Sequence, residues 1–289
     1  MDQGTWHLIT DEIKSAIFFF IAMLVTSGIA FYKNFYRLEN DEKINVKFSY
    51  FAIIFIIYFL TSYGTGAVSS LLFKKYINST NFVSFYVLIN FLSGILLLIF
   101  LYLFCFKRQK ETTYQIIKRK SLGSRSVGFD ALIGIASWLL IFPIVSFFAS
   151  ILDVFIFVVF KVRKIPEQMA IDFIKSTMSH PFLFIIALIS IIIIAPILEE
   201  FLFRGVLQNF LKKYLKRSYA ILLTSVIFAF AHYSYAQKLA NITILGSLFV
   251  LAVFLGFLYE KQKSLISPIF LHATFNTISL LNLIFIKGI

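Results

Sequence analysis

Charge is scarce in this sequence: 14% of its 289 residues are Asp, Glu, Lys or Arg, and 60% are hydrophobic. A soluble domain carries roughly 25% charged and 45–50% apolar residues, so a water-soluble fold is excluded. Cysteine occurs once, at Cys105 inside an apolar run. That rules out an internal disulfide and any cysteine-built metal site. The His-Glu-x-x-His pattern of zinc proteases is absent. The opening residues do not read as a cleaved signal, because Asp2, Asp11 and Glu12 precede the first apolar stretch and no small-residue cleavage pattern follows. No internal repeat is visible either.

What the sequence has is long uncharged windows: 15–32, 48–73, 76–106, 131–152, 181–198, 218–237, 239–259 and 264–286. Each is near or above the roughly 18 residues that read as a spanning helix. The expectation is an all-α, multi-pass integral membrane protein with about eight transmembrane helices. The net charge of +13 gathers in the loops, as positive-inside bias requires, and no soluble basic-aromatic segment points to nucleic acid. Phe, Ile and Lys bias suggests an AT-rich microbial genome, and hence a microbial cell membrane. Loop lysines and arginines favour both termini outside, although the two sides tie in the second half of the chain.

A basic connection from Lys107 to Arg125, with seven Lys or Arg and one Glu, is the best boundary between two parts. Residues 1–128 then hold three spans with no readable motif, and 129–289 hold the remaining spans as a second part. Taken as one helix, 131–160 would be about 45 Å long, so it must tilt, bend near Pro143 or run into an interface. Residues 161–180 read as a surface helix.

The informative segment is the fifth window. Residues 181–198 contain no charge, and then Glu199, Glu200 and Arg204 follow. One such side chain at a bilayer centre costs about 2.5–3.5 kcal/mol on insertion scales, so this cluster marks a site rather than lipid-facing packing. Consecutive helical residues point about 100° apart, which puts the two glutamates on different faces. Glu200 and Arg204 have the i,i+4 spacing of a helical ion pair, leaving Glu199 free for chemistry. The bland alternative is a structural polar plug.

Two of the four histidines, His232 and His272, fall in apolar windows. A lone buried histidine is more often a core residue than a catalyst, but here register favours a site. At 1.5 Å per residue, Glu199, His232 and Asn276 each lie about 20–22 Å from the basic turns at Lys212, Arg217 and Lys263. His272 shares a face with Asn276 at i,i+4. Small neighbours such as Ala229, Ala231 and Ala273 allow close helix approach. A convergent polar layer follows, opening towards the connections after the fourth and sixth windows.

Glu199-Glu200-x-x-x-Arg204, Phe228-x-x-x-His232 and His272-x-x-x-Asn276 resemble, in order and over roughly 181–280, the three motifs of the CAAX protease and bacteriocin-processing (CPBP/Abi) family. These are intramembrane proteases related to the Ras-converting CAAX endoprotease. The resemblance implies that Glu199 is the catalytic glutamate, with Glu200 and Arg204 as its supporting partners. It makes His232, His272 and Asn276 the other active-site polar residues.

The residue chemistry points the same way. Peptide hydrolysis needs a base for water and donors for the oxyanion. Glu199 serves as the base with His232 orienting the water, and His272 and Asn276 serve as donors. Zinc on Glu199, His232 and His272 is the rival, since these are ligand types of catalytic zinc, but Glu199 cannot be both ligand and free base. The expected partners are membrane lipids and a hydrophobic or lipid-anchored peptide cut near its end. Two other classes remain open: a non-proteolytic scaffold or bacteriocin self-immunity protein, and an intramembrane ion or proton carrier. Loss of a motif residue would favour the first and inverted repeats the second; neither is seen.

Overall fold

The computed structural model describes residues 3–39, 41–73, 80–119, 126–162 and 174–285. Among them the chain is all-α. The helices are α1 (Gln3–Tyr32), α2 (Phe48–Phe73), α3 (Thr80–Arg108), α4 (Lys110–Ile117), α5 (Val127–Phe160), α6 (Pro181–Leu211), α7 (Arg217–Phe230), α8 (Ala240–Gln262) and α9 (Ile266–Phe285). All but α4 and α7 are long and apolar enough to cross a membrane. The fold is that of a polytopic membrane protein, with seven such helices among the described residues where about eight were expected.

The difference lies in the window 218–237. It folds as the 14-residue α7, about 21 Å long, followed by a turn. His232 and Tyr233 close the helix by donating their backbone N–H to the Ala229 and Phe230 carbonyls, each at 3.0 Å. Asn241 locks the turn beyond. Its amide donates to the carbonyls of Ser234 (2.7 Å) and Lys238 (3.0 Å) and accepts from Ser234 N–H (3.2 Å). His232 therefore stands just past a helix end rather than inside a span. Uncharged composition reports partitioning, whereas the path of the backbone here is set by side-chain hydrogen bonds from α8. The surface helix expected over 161–180 lies largely outside the described residues.

Helix α5 runs unbroken for 34 residues, about 51 Å, with Pro143 inside it and Ser126 Oγ capping Phe129 N at 3.1 Å. It lies against α1, α8 and α9. At Gly134 a Cβ would collide with the Ser267 carbonyl, so only glycine permits this approach of α9. Ser267 Oγ donates to the Asp130 carbonyl at 2.7 Å, fixing the start of the helix that carries His272.

One apolar core joins both sides of residue 128. Tyr50 and Ile54 of α2, Leu97, Leu101 and Cys105 of α3, and Ile116 of α4 pack with Leu198, Leu202, Phe203 and Val206 of α6 and Phe228 of α7. The basic connection contributes structure of its own. Gly205 of α6 lies so close to Ile116 that a side chain there would displace it. Arg119 N donates to the Lys263 carbonyl (3.0 Å) and Leu265 N to the Ile117 carbonyl (2.8 Å).

Beneath this connection sits Glu260, fully buried. Arg119 grips both its oxygens (3.1 and 3.3 Å), Lys212 Nζ lies at 2.8 Å and Gln208 Nε2 at 3.0 Å. Lys212 also pairs with Asp41 at 2.6 Å, and Lys263 with Glu42 at 2.7 Å, which straps the α1–α2 connection across this end of α6 and α8. Removing one member of a buried network leaves uncompensated charge costing about 3–5 kcal/mol. Glu260→Ala should therefore lower stability by about that amount, read as a lower thermal unfolding midpoint in detergent; an unchanged midpoint would refute the network's role.

Candidate active site

Helix α6 is not a uniform α-helix. It is α-helical over Pro181–Ile189, π-helical over Ser190–Ile194, α-helical over Ala195–Glu200 and π-helical again over Phe201–Gln208. Each π turn shifts the hydrogen-bond ladder by one residue and rotates the side chains that follow; such insertions are frequent at functional sites. Two asparagines bind carbonyls in these segments. Asn276 Nδ2 of α9 donates to the Ile191 carbonyl at 2.9 Å. Asn209 Nδ2 donates to the carbonyls of Gly205 (2.8 Å) and Arg204 (3.1 Å). The short α-helical piece between the two π segments carries Glu199 and Glu200.

The two glutamates do point to different faces. Glu200 is fully buried and its Oε1 accepts two bonds of 2.9 Å, from Arg204 Nη1 and from His272 Nδ1. Arg204 is equally buried. Its Nη2 donates to the Ala252 carbonyl of α8 at 3.2 Å, and its guanidinium lies 4.4 Å from the Phe228 ring centre. The expected ion pair is present, and it has a further partner that spacing alone did not supply: Glu200 also holds His272.

Glu199 faces the other way. Its Oε2 is 3.7 Å from His232 Nε2 and 3.9 Å from His272 Nε2, and this buried oxygen has no hydrogen-bond partner. The second nitrogen of each ring defines the first. His232 Nδ1 is 2.9 Å from the Phe228 carbonyl, which can only accept, so Nδ1 carries the proton. His272 Nδ1 faces the Glu200 carboxylate and carries a proton likewise. In the neutral rings both Nε2 atoms then present lone pairs towards Glu199. The Phe228-x-x-x-His232 spacing acquires a physical meaning: the carbonyl of Phe228 sets the His232 ring and its side chain covers Arg204.

The structure thus brings together Glu199, Glu200, Arg204, His232 and His272. Asn276 stands one turn beyond His272 and bonds the α6 backbone. Among the described residues, no group of three or more His, Cys, Asp or Glu side chains is arranged to hold a metal ion. Glu199, His232 and His272 have the ligand chemistry of zinc but not that arrangement. Asn209, Gln208 and Glu260 escaped the sequence reading; their only signal was polarity beside lysines, Lys212-Lys213 for the first two and Lys261 for Glu260, which reads as a helix end.

Residues 181–278, which begin with α6 and run into α9, match the family model described as type II CAAX prenyl endopeptidase Rce1-like. This segment is similar to that family. A curated relative, an uncharacterized 24.3 kDa protein of Escherichia coli, is 33% identical over 99 residues, covering 34% of this chain and 44% of that protein. The chain therefore spans less than half the length of the relative it matches. No solved structure matches. The Rce1-like segment contains every residue of the cluster around Glu199.

Arg204→Ala would strand Glu200 in the interior and is expected to destabilise by about 3–5 kcal/mol. Changing Glu200 and Arg204 together to Leu and Met should recover part of that loss, because an apolar pair needs no partner. Thermal unfolding of the parent, single and double variants decides it, and three equal midpoints would sink the ion-pair reading.

Proposed function

We propose that this protein is an intramembrane endopeptidase of the CAAX type, hydrolysing a peptide bond near the end of a membrane-associated or lipid-anchored peptide by glutamate-activated water. The observation that carries this reading is the buried, unpartnered Glu199 Oε2 facing two imidazole Nε2 lone pairs. An unpartnered carboxylate oxygen facing imidazole lone pairs calls for a hydrogen-bond donor between them, and water can bridge Glu199 to one ring. The Rce1-like segment supports the reaction class.

Glu199 takes one proton as the water oxygen bonds to the scissile carbonyl carbon, and the C=O π pair moves onto oxygen. Collapse of that oxyanion breaks the C–N bond, and Glu199 returns the proton to the departing nitrogen. His232 Nε2 accepts the water's second hydrogen and aims it, and His272 lines the other side of the water. Glu200 and Arg204 act behind them, holding His272 in the tautomer that leaves Nε2 bare. Asn276 acts through the Ile191 carbonyl, keeping the π segment that presents Glu199. A zinc ion would consume Glu199 as a ligand and remove the base, so the reading is metal-free.

Glu199→Ala, His232→Ala and His272→Ala should each abolish cleavage of a prenylated peptide while the variant stays folded and inserted. Asn276→Ala is expected to be milder, by roughly 10²–10³ in rate if it also contacts the oxyanion. A Glu199→Ala variant with near-parental turnover overturns the assignment. Washing with a chelator should leave turnover unchanged; a loss restored by zinc would replace the metal-free mechanism.

The site is read as opening on the side of the 231–239 turn. Tyr235 on that turn is 86% exposed, whereas the α1–α2 strap covers the far ends of α6 and α8. Cysteines placed at Tyr235 and Lys261 should label from opposite sides of the membrane. Labelling from one side would refute this register.

A further inference from the structure

The short helix α4 roofs a space that the proposed chemistry does not use. A cavity of about 350 Å³ lies between α3, α4, α6 and α9, within the roughly 300–1,000 Å³ of sites that take small ligands. Phe106 of α3, Ile117 of α4, Ile197 and Phe201 of α6 and Ile269 of α9 stand in its wall. Tyr102 of α3 and Phe270 of α9 also line it, and they are 62% and 39% exposed. The cavity therefore opens sideways, on helix faces that meet lipid. The Thr113 hydroxyl in the same wall is spent on the Gln109 carbonyl at 2.9 Å. A space walled in this way offers water few partners and suits a hydrocarbon chain.

The cavity is separate from the candidate active site. At about 100° per residue, Ile197 and Phe201 each point roughly 160° away from Glu199. A chain held here packs behind the piece of α6 that carries the glutamates, out of reach of the Glu199 carboxylate.

Charge marks the other end of the space. Lys107, Arg108, Lys110 and Lys118 stand against one carboxylate, Glu111, across residues 107–118. A second hollow of about 330 Å³ on α4 is lined by Lys110, Glu111, Tyr114, Gln115 and Lys118. Lys110 and Tyr114, at i,i+4, share a helix face. The Tyr114 ring joins the two spaces. It meets Phe106 edge-on at 5.4 Å, and Lys110 Nζ lies 5.9 Å from its centre. An apolar cavity thus adjoins a basic hollow at the end of the spans, and basic pockets between membrane helices bind anionic lipid head groups.

We propose that the cavity and the hollow together hold one anionic phospholipid, with an acyl chain against Ile197 and Phe201 and its phosphate on Lys110 and Lys118. The site stands apart from the peptidase reading, since none of these residues belongs to the cluster around Glu199.

The test uses the full chain in a neutral detergent, with phosphatidylglycerol and phosphatidylcholine of identical acyl chains. Native mass spectrometry should show one phosphatidylglycerol retained, and the thermal midpoint should rise with its concentration. Phosphatidylcholine should do neither at the same concentration. Lys110→Gln combined with Lys118→Gln leaves the core untouched and should weaken phosphatidylglycerol binding roughly 10- to 30-fold. Ile269→Trp fills the cavity and should weaken binding without changing charge. A phosphatidylglycerol carrying a diazirine midway along one chain should label residues 98–106 or 266–270 of the parent, and not of Ile269→Trp. Equal retention of the two lipids, label on another face, or unchanged affinity in the double lysine variant overturns the proposal. So does displacement of the label by a farnesylated peptide, which would give the cavity to the substrate, or its exclusion by a dimer, which would give it to a second copy.

Discussion

A single carboxylate oxygen, Glu200 Oε1, organises this candidate site. It accepts from Arg204 and from His272, both at 2.9 Å. Without it, Arg204 would be an unpaired guanidinium with no exposure to water, and His272 would lose the acceptor that decides which of its nitrogens is bare. Through Arg204 the same carboxylate reaches the Ala252 carbonyl of α8 and the Phe228 ring of α7. Helices α6, α7, α8 and α9 thus converge on one buried charge pair. Such a pair is weak evidence for net stability, because desolvation offsets most of the attraction. Its value here lies in geometry: the bonds of Arg204 and His272 to one oxygen tie α6 to α9, and Arg204 ties both to α8.

The part of the site that was legible in the sequence is the part that lipid makes conspicuous. Glu199, Glu200, Arg204 and His272 stand out because an ionisable group within an apolar run has no use in packing, and i,i+4 spacing then pairs Glu200 with Arg204. The second bond of Glu200 was not legible, since it joins positions 72 residues apart. The end of α7 was hidden for the same reason: Asn241, on the next helix, draws the chain into a turn that composition cannot register. Glu260 and its partners were misread in another way. Arg119 and Lys212 look like ordinary loop cations under a positive-inside pattern, and only the fold shows them 3% and 1% exposed around one buried carboxylate.

The π segments account for the rest. A sequence read at 3.6 residues per turn assigns faces correctly only while the ladder is α-helical. Two π stretches in α6 rotate the residues after them, and each has carbonyls bound by an asparagine side chain, Asn276 or Asn209. Those asparagines look like catalytic or cap residues in a sequence, because their work on a backbone carbonyl leaves no periodic trace. The same rotation brings Phe203 and Phe210 of α6 onto Phe55 and Phe51 of α2, although nothing in α2 announces it.

The shortness of α7 has a consequence for the surrounding membrane. A helix of about 21 Å does not reach across a hydrocarbon core of about 30 Å. Starting from the basic turn at Arg217, the chain reverses at His232 after a rise shorter than that thickness. Lipid tails cannot solvate the polar turn that follows, whose backbone groups need water or protein partners. Asn241 supplies such partners to the Ser234 and Lys238 carbonyls. Under the proposed function, the end of this short helix sets the depth at which water and a membrane-borne substrate would meet.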